Sequence, residues 1–166
     1  MKIEGIIIPL VTPFKDNRVD FVCYKKLIDY YIDQGVDGII PLGTTGESPT
    51  IESFEYNEIL LKTMEYNNGR TKVYVGLGGI LASASLNTKS FIKVYNDMKS
   101  NDYKEALKTW REISKVIPLL FNEPNPTPLK YCLKNMGLID SDEVRLPLTN
   151  IADELKYKLD NMLFSK

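Results

Sequence analysis

Short apolar runs alternate with amphipathic stretches in the first half of the chain. The β-branched run at residues 6–10 is typical of a strand buried on both faces, and similar runs occur at 38–42 and 71–77. Between these runs, apolar residues recur at helical spacing after Asp20 and after Thr50, which are both suited to cap a helix, and Gly35 suits the end of the first helix. This strand–loop–helix order predicts a parallel sheet with right-handed connections.

The alternation breaks at Gly78-Gly79, where the third predicted strand runs directly into a second strand-like stretch at residues 80–85. Parallel neighbours in a sheet need a crossover of about a dozen residues or more. Either the two stretches form one long strand, or one of them lies outside the sheet.

The second half of the chain has helical periodicity throughout. Asn87 or Thr88, Asp102 and Asn150 are candidate N-caps, and the helix after Asp102 carries Leu107 and Trp110 on its apolar face. If that face packs on the sheet, truncating Leu107 or Trp110 to Ala should cost roughly 3 kcal/mol or more. Pro118 should end or kink this helix, Pro128 suits the first turn of the next one, and Gly137 marks its end.

Composition narrows the class of protein. A chain of 166 residues, 43% of them apolar, fits one soluble domain. Its 21 basic and 22 acidic residues nearly cancel, so the chain has no excess positive charge to attract nucleic acid or an anionic membrane. The absence of histidine excludes His-based triads and His metal sites. Cys23 and Cys132 are far apart in the sequence and are predicted to be buried free thiols in a reducing, cytoplasmic environment. The apolar run at residues 6–11 is too short to span a membrane and lacks the flanking residues of a signal peptide.

The small-residue loop Gly43-Thr44-Thr45-Gly46-Glu47 follows the second predicted strand and leads towards a helix. Ligands bind at this edge of parallel α/β folds, where successive N–H groups can form a nest for a carboxylate and a Thr hydroxyl can pass on a proton. The loop lacks the G-K-[ST] ending of a phosphate-binding P-loop. An ordinary βα turn is the alternative, and a helix dipole alone would favour Glu47 there.

Several segments together resemble a known superfamily. Residues 8–14 (Ile-Pro-Leu-Val-Thr-Pro-Phe) and 43–48 (Gly-Thr-Thr-Gly-Glu-Ser) are similar to the dihydrodipicolinate synthase / N-acetylneuraminate lyase superfamily. Residues 121–130 (Phe-Asn-Glu-Pro-Asn-Pro-Thr-Pro-Leu-Lys) and 144–148 (Val-Arg-Leu-Pro-Leu) resemble its dihydrodipicolinate synthase branch. The resemblance implies a pyruvate-dependent aldolase-type lyase on a (β/α)8 barrel, usually oligomeric, that condenses pyruvate with aspartate semialdehyde in lysine biosynthesis without a cofactor or metal.

Carried onto this chain, the resemblance assigns roles to four residues. Thr44 matches the hydroxyl of the proton relay, and the backbone N–H groups of Thr44 and Thr45 match the pyruvate-carboxylate site. Ser48 and Pro49 fall in the loop that contributes to a lysine-inhibitor pocket in some members.

The chain is too short for that barrel, which needs about 250 residues. Residues 71–78 resemble barrel strand three and 79–85 resemble strand eight, so strands four to seven, with the Schiff-base lysine, have no counterpart. The predicted fold is an α/β partial TIM-type barrel of three to four parallel strands at residues 1–86. A helical region at 87–166 packs on it, and the two form one globular unit.

A substitute for the missing lysine would need a depressed pKa in a dry pocket. Lys72, Lys130 and Lys134 are each interpreted as solvated charges, and Tyr74 as a packing residue. The carboxylates of Glu47, Glu52 and Glu55 lack ligand spacing for a metal.

Three hypotheses remain open from the sequence. The chain is a shortened lyase that cannot form the pyruvate imine, a non-catalytic remnant that self-associates and binds a small carboxylate such as pyruvate, or an internal deletion of a longer enzyme.

Overall fold

A three-stranded parallel sheet forms the centre of the computed structural model, which describes residues 5–74 and 82–164. The strands are β1 (Ile7–Pro9), β4 (Gly38–Ile40) and β5 (Lys72–Val73), in the order β1-β4-β5. Ile8 lies opposite Ile39, which in turn lies opposite Val73. The predicted parallel sheet is therefore confirmed with shorter strands, and the end of the third predicted strand, 75–77, lies outside the described residues.

An antiparallel hairpin, predicted only as a loop, follows the first strand. Its strands are β2 (Phe14–Lys15) and β3 (Arg18–Val19). The two turn residues, Asp16 and Asn17, have φ angles of 52° and 58°. Positive φ at both positions is what a tight two-residue hairpin requires, and Asp and Asn tolerate it better than most residues.

Two helices cover the sheet in the first half. Helix α1 (Phe21–Asp33) begins at Asp20, whose carboxylate accepts from the amides of Val22 and Cys23, and the chain leaves it at Gly35 with φ 83°, both as predicted. Helix α2 (Ser53–Asn67) begins at Glu52 instead of Thr50. Thr50 belongs to a preceding 3-10 turn, Ser48–Thr50, in which its hydroxyl donates to the carbonyl of Glu47.

Over the described residues 82–85 the strand-like stretch lies outside the sheet, which was one of the two predicted alternatives, and it is not the strand that the resemblance implied. Ala82–Ser85 forms a 3-10 turn that contacts β1, and its buried hydroxyl-bearing residues do not extend the sheet. The junction at Gly78-Gly79 lies outside the described residues.

The second half of the chain is helical, as predicted. It contains α3 (Thr88–Lys99), α4 (Tyr103–Ile113), α5 (Ile117–Leu120), α6 (Thr127–Asn135) and α7 (Asp153–Leu163). Asn87 and Asp102 occupy the N-cap positions of α3 and α4, and Pro118 and Pro128 lie in the first turns of α5 and α6. The last helix is capped by Ala152 and not by Asn150.

The core lies between the sheet and helices from both halves of the chain. Ile8, Ile39, Leu27, Leu133 and Leu159 are fully buried, and they come from β1, β4, α1, α6 and α7. Cys23 and Cys132 are buried free thiols, as predicted. Burial raises the pKa of Cys23 to about 11 and that of Cys132 to about 12, so both are protonated at neutral pH.

The face of α4 that was expected to pack on the sheet instead meets α3 and solvent. Leu107 is 48% exposed and Trp110 is 39% exposed, so the condition under which truncating either residue was expected to be costly is not met. The Trp110 ring makes an edge-to-face contact with Phe91 at 6.1 Å between centroids. Across the described parts of the chain, no helix is both long and apolar enough to span a bilayer.

Candidate functional site

The 43–47 loop folds as one 3-10 turn, Thr44–Gly46, at the carboxyl end of β4. The amide of Gly46 donates to the carbonyl of Gly43 at 2.9 Å, and the amide of Glu47 donates to the carbonyl of Thr44 at 3.1 Å. The side chain of Thr44 is exposed, whereas Thr45, Gly46 and Glu47 are buried. The turn thus presents a single hydroxyl, that of Thr44, to solvent.

Contacts from distant segments fix this turn. The hydroxyl of Thr12 donates to the carbonyl of Gly46 at 2.7 Å, and a Cβ at Gly46 would lie 3.1 Å from the carbonyl oxygen of Leu10. The side-chain amide of Asn125 donates to the Thr45 hydroxyl at 3.1 Å. Glycine at 46 therefore allows the turn to sit tightly against the segment that follows β1.

The first amides of the turn are available as donors. Within the described ranges, the N–H groups of Thr44 and Thr45 have no hydrogen-bond acceptor in the protein, as the first amides of a helical turn generally lack one. Two such neighbouring donors can bind a carboxylate.

A fully buried ion pair lies beneath the turn. The Lys130 ammonium is 2.5 Å from Glu47 Oε1, and both side chains are 0% exposed. Lys130 Nζ also donates to the carbonyl of Glu143 at 2.7 Å and lies 4.2 Å from the centroid of the Phe14 ring. The interpretation of Lys130 as a solvated charge is therefore wrong, because α6 directs this side chain into the interior, where the Glu47 carboxylate compensates its charge.

The electrostatics of Lys130 combine two opposing effects. Burial lowers its pKa below the ordinary value, and the Glu47 carboxylate opposes that shift. A lowered pKa is what a nucleophilic amine needs, but this amine has no exposed surface, is paired with the Glu47 carboxylate and donates to the carbonyl of Glu143. In this arrangement Lys130 holds the turn and has no surface open to solvent.

Arg145 forms a second ion pair, largely but not fully buried, next to the first. Its guanidinium donates two hydrogen bonds to the Glu55 carboxylate, at 2.6 and 2.7 Å, and one to the carbonyl of Thr50 at 3.0 Å. Its backbone amide donates to Glu47 Oε2 at 3.1 Å, which joins the two pairs. The hydrogen bonds from Arg145 hold the pKa of Glu55 below its ordinary value, and those to Glu55 raise the pKa of Arg145.

The sequence did not predict these two linked ion pairs, Lys130–Glu47 and Arg145–Glu55. Lys130 and Arg145 both stand inside the two C-terminal segments that carried the resemblance. The signal was a basic residue next to leucine in each of two proline-containing segments. Their partners, Glu47 and Glu55, are 83 and 90 positions away, and nothing local in the sequence connects them.

The other candidate residues lie apart from the turn or are engaged in packing. Lys72 is exposed, and Lys134 is exposed and paired with Asp142 at 2.7 Å, as solvated charges should be. Tyr74 is buried, as expected of a packing residue, with its ring against Gly38. Ser48 and Pro49 lie in the 3-10 turn after Glu47.

In the described part of the chain, the acidic and thiol side chains that come near enough to share a metal ion are already engaged. Glu47 and Glu55 are committed to Lys130 and Arg145, which leaves them unsuited to a cation. Asp20, Cys23 and Asp140 bring their ligand atoms within 4.8 Å of one another. Asp20 already caps α1, and the raised pKa keeps the Cys23 thiol protonated.

Comparison with known proteins gives consistent matches over the whole chain. The sequence profile of the Dihydrodipicolinate synthetase family matches residues 2–91 and again residues 76–166. The two matches overlap at 76–91, around the junction where the strand–helix alternation breaks.

Curated relatives match in the same way. A 4-hydroxy-tetrahydrodipicolinate synthase of Endomicrobium trichonymphae is 46% identical over 98% of this chain and 50% of its own length. Another from Methanococcus maripaludis is 40% identical over 76% of this chain and 48% of its own length. 4-Hydroxy-tetrahydrodipicolinate synthase 2 of Clostridium acetobutylicum is 31% identical over 98% of this chain and 100% of its own length, in an alignment of 286 positions. A long stretch of that relative therefore has no counterpart in these 166 residues, and the chain spans about half the length of the other two.

Solved structures share the fold at low identity. A dihydrodipicolinate synthase from Aquifex aeolicus superposes with a TM-score of 0.90 and 18% identity, covering 97% of each chain. One from Acinetobacter baumannii, complexed with pyruvate, superposes with a TM-score of 0.85 and 20% identity, covering 98% of each chain. With the profile and the curated relatives, these likenesses establish that the chain is a shortened member of the dihydrodipicolinate synthase family with a partial TIM-type barrel.

Proposed function

We propose that the chain is a shortened relative of 4-hydroxy-tetrahydrodipicolinate synthase that keeps a small-carboxylate site at Thr44 and Thr45 but is impaired in catalysis. In the full reaction, pyruvate forms an imine with a lysine before it condenses with aspartate semialdehyde. The imine needs an accessible amine beside the Thr44–Gly46 turn. Among the described residues, the lysine that lies against this turn is Lys130, and it is enclosed.

The environment of Lys130 carries this proposal. It is the only fully buried lysine in the described part of the chain, and its Nζ is engaged by Glu47 and the carbonyl of Glu143. Attack on a ketone needs a neutral amine with a free lone pair that the substrate can reach. Lys130 is enclosed, so it fails the requirement of access.

The carboxylate site is supported by the position of the turn. Thr44 is exposed at the carboxyl end of β4, and the N–H groups of Thr44 and Thr45 lack an acceptor among the described residues. The hydrogen bond from Asn125 and the buried Glu47 hold the turn in place, so little ordering is needed to bind an anion. By resemblance, Thr44 also supplies the relay hydroxyl, and Ser48 and Pro49 border an inhibitor site.

Borohydride trapping with pyruvate, followed by intact mass measurement, tests the loss of catalysis. We expect no stoichiometric adduct with the wild-type chain. A stoichiometric adduct that peptide mapping places on one lysine would overturn the proposed impairment, and the same experiment on Lys130→Met would show whether Lys130 is that lysine.

A pair of variants at Thr44 tests the carboxylate site. Thr44→Pro removes the amide hydrogen at the first position of the helical turn, where proline fits, and Gly43 before it is extended with ψ −173°. Thr44→Ala keeps the amide and removes only the hydroxyl. Titration with pyruvate, followed by amide NMR shifts, should show binding to the wild type and Thr44→Ala and loss of binding in Thr44→Pro. Equal binding by both variants would place any pyruvate elsewhere.

An internal deletion of a longer enzyme is the second candidate origin, and the overlapping family matches at 76–91 favour a junction there. Sequencing the encoding DNA across the Gly78-Gly79 codons distinguishes a native junction from a deletion.

A cytoplasmic location belongs to the same proposal and is supported by the buried, unpaired Cys23 and Cys132.

A further inference from the structure

Helix α2 presents a stripe of large apolar side chains to solvent. Phe54 is 67% exposed, Leu61 is 72% exposed and Met64 is 59% exposed. Phe54 and Leu61 are seven positions apart, and Leu61 and Met64 are three apart, so they lie on one side of the helix. Clustered exposed apolar side chains on a small protein mark an interaction site more often than scattered ones do.

A second exposed apolar surface is the groove between α3 and α4. The groove has a volume of about 460 Å³ and is lined by Val94, Met98, Tyr103, Ala106, Leu107 and Trp110. Four of these side chains, those of Met98, Tyr103, Leu107 and Trp110, are 39–58% exposed. Its walls are formed by two helices that pack on each other, so the groove is preformed.

The charges beside these two surfaces are opposite and equally spaced. On α2, Leu61 has Glu58 three positions before it and Glu65 four positions after it. On α4, Leu107 has Lys104 three positions before it and Arg111 four positions after it. Residues at these spacings are neighbours on a helix surface, so each leucine is flanked along the helix by two charges of one sign.

We infer that the α2 stripe of one copy of this chain docks into the α3–α4 groove of a second copy. Leu61 and Phe54 enter the groove, and Glu58 and Glu65 face Lys104 and Arg111 of the second copy. Glu65 contacts Lys62 at 2.8 Å within its own helix, but that pair is solvent-exposed and costs little to rearrange.

The contact is heterologous, because one surface binds a different surface on the next copy. Such an interface closes as a ring or continues as a chain of subunits. The inference concerns α2, α3 and α4 only, and it stands whether or not the Thr44–Gly46 turn binds a carboxylate.

Charge reversal in matched pairs tests the inference by sedimentation velocity over a dilution series. The wild type should associate, and Glu58→Lys/Glu65→Lys and Lys104→Glu/Arg111→Glu should each be monomeric, because each variant places like charges across the interface. Mixing the two variants should restore association, since the unaltered groove of the first variant then meets the unaltered stripe of the second, and the altered stripe meets the altered groove. Circular dichroism confirms that each variant is folded.

A surface away from both faces supplies the control. Tyr157 on α7 is 71% exposed, and Tyr157→Asp should leave association unchanged, whereas Leu61→Asp should abolish it. A wild-type chain that is monomeric at every concentration, or one that associates equally well with Leu61→Asp, would overturn the inference. Failure of the two charge-reversed variants to associate on mixing would also overturn it.

Discussion

Lys130 and Glu47 form an ion pair of 2.5 Å in which neither side chain has any exposed surface. The pair joins α6 to the residue that follows the Thr44–Gly46 turn. Its position explains how a chain with three short parallel strands still orders the loop at the end of the middle strand. Glu47 also accepts from the amide of Arg145, so one carboxylate fixes two separate C-terminal segments.

Replacing Lys130 with Met should destabilise the protein by about 3–5 kcal/mol, because the Glu47 carboxylate would remain buried without its partner. Met has a similar length and fills the space, so the loss reports mainly the charge. Urea unfolding followed by circular dichroism measures the change. The double variant Glu47→Gln/Lys130→Met removes both charges of the pair, so it should recover part of the stability. A Lys130→Met variant as stable as the wild type would contradict the role of the pair.

The Glu55–Arg145 pair predicts a specific pH dependence. Arg145 lowers the pKa of Glu55 below its ordinary value of 4.5 in the folded state. The carboxylate therefore contributes stability that is present above pH 4.5 and is lost as the pH falls through the lower folded pKa. Near neutral pH, Glu55→Gln should cost about 1.5–3 kcal/mol in the free energy of unfolding, and this difference should shrink below pH 4.5.

A matched control for this experiment is Glu154→Gln on α7. Glu154 pairs with Lys158 at 2.6 Å, but its side chain is 79% exposed. Its removal should leave stability and its pH profile nearly unchanged, because exposed pairs contribute little. A Glu55→Gln difference that stays constant from neutral to acidic pH would show that the charge of Glu55 does not matter.

A buried hydroxyl pair between α1 and α2 gives a third prediction. The Thr63 hydroxyl donates to the carbonyl of Ile59 at 2.7 Å, so the Tyr24 hydroxyl, 2.8 Å away, donates to Thr63. Thr63→Val keeps the shape but leaves the Tyr24 hydroxyl unsatisfied, at a cost of about 1–3 kcal/mol. Adding Tyr24→Phe should remove most of that cost. Thermal unfolding of the two single variants and the double variant measures the coupling, and additive effects would contradict it.

The packing of α3 on α4 gives a fourth prediction. Phe91 is 5% exposed and Leu107 is 48% exposed. Phe91→Ala should therefore cost about 3–5 kcal/mol, whereas Leu107→Ala should cost less than about 1 kcal/mol. The comparison is made by urea unfolding at low protein concentration, where the monomer is observed. Equal costs would mean that Leu107 is buried in the isolated chain.

Local pattern was sufficient to predict much of the fold. The β-branched runs identified β1 and β4, and Asp20 and Asp102 cap helices as their side-chain chemistry requires. Thr50 and Asn150 have the same capping chemistry but do not cap a helix. Thr50 lies in a 3-10 turn before α2, and α7 begins two residues after Asn150, at Ala152, whose backbone is extended. At residues 82–85, small residues fit a strand equally well, and the 3-10 turn that forms there packs against β1, α3 and α6, which the local sequence does not show.

The site was harder to predict than the fold. Gly46 and Thr44 were identifiable because a tight turn after a buried strand needs small residues and exposes donors. Lys130 was interpreted incorrectly because lysine is almost never fully buried without a partner, and its partner stands 83 positions earlier in the chain. Which charges meet across such separations depends on the packing of α6 and on the path of residues 140–149, and no periodicity encodes either.

Every long-range side-chain contact described for Thr45 and Glu47 comes from residues 125, 130 or 145. During synthesis, the ribosome must therefore produce more than four-fifths of the polypeptide before the last of these partners emerges. An incomplete nascent chain leaves the Glu47 carboxylate hydrated, and the loop is then held only by the Thr12 hydroxyl and its own backbone hydrogen bonds. The Thr44–Gly46 turn is consequently among the last parts of the molecule to acquire its final contacts, and we expect these to be incomplete in any fragment that stops before Arg145.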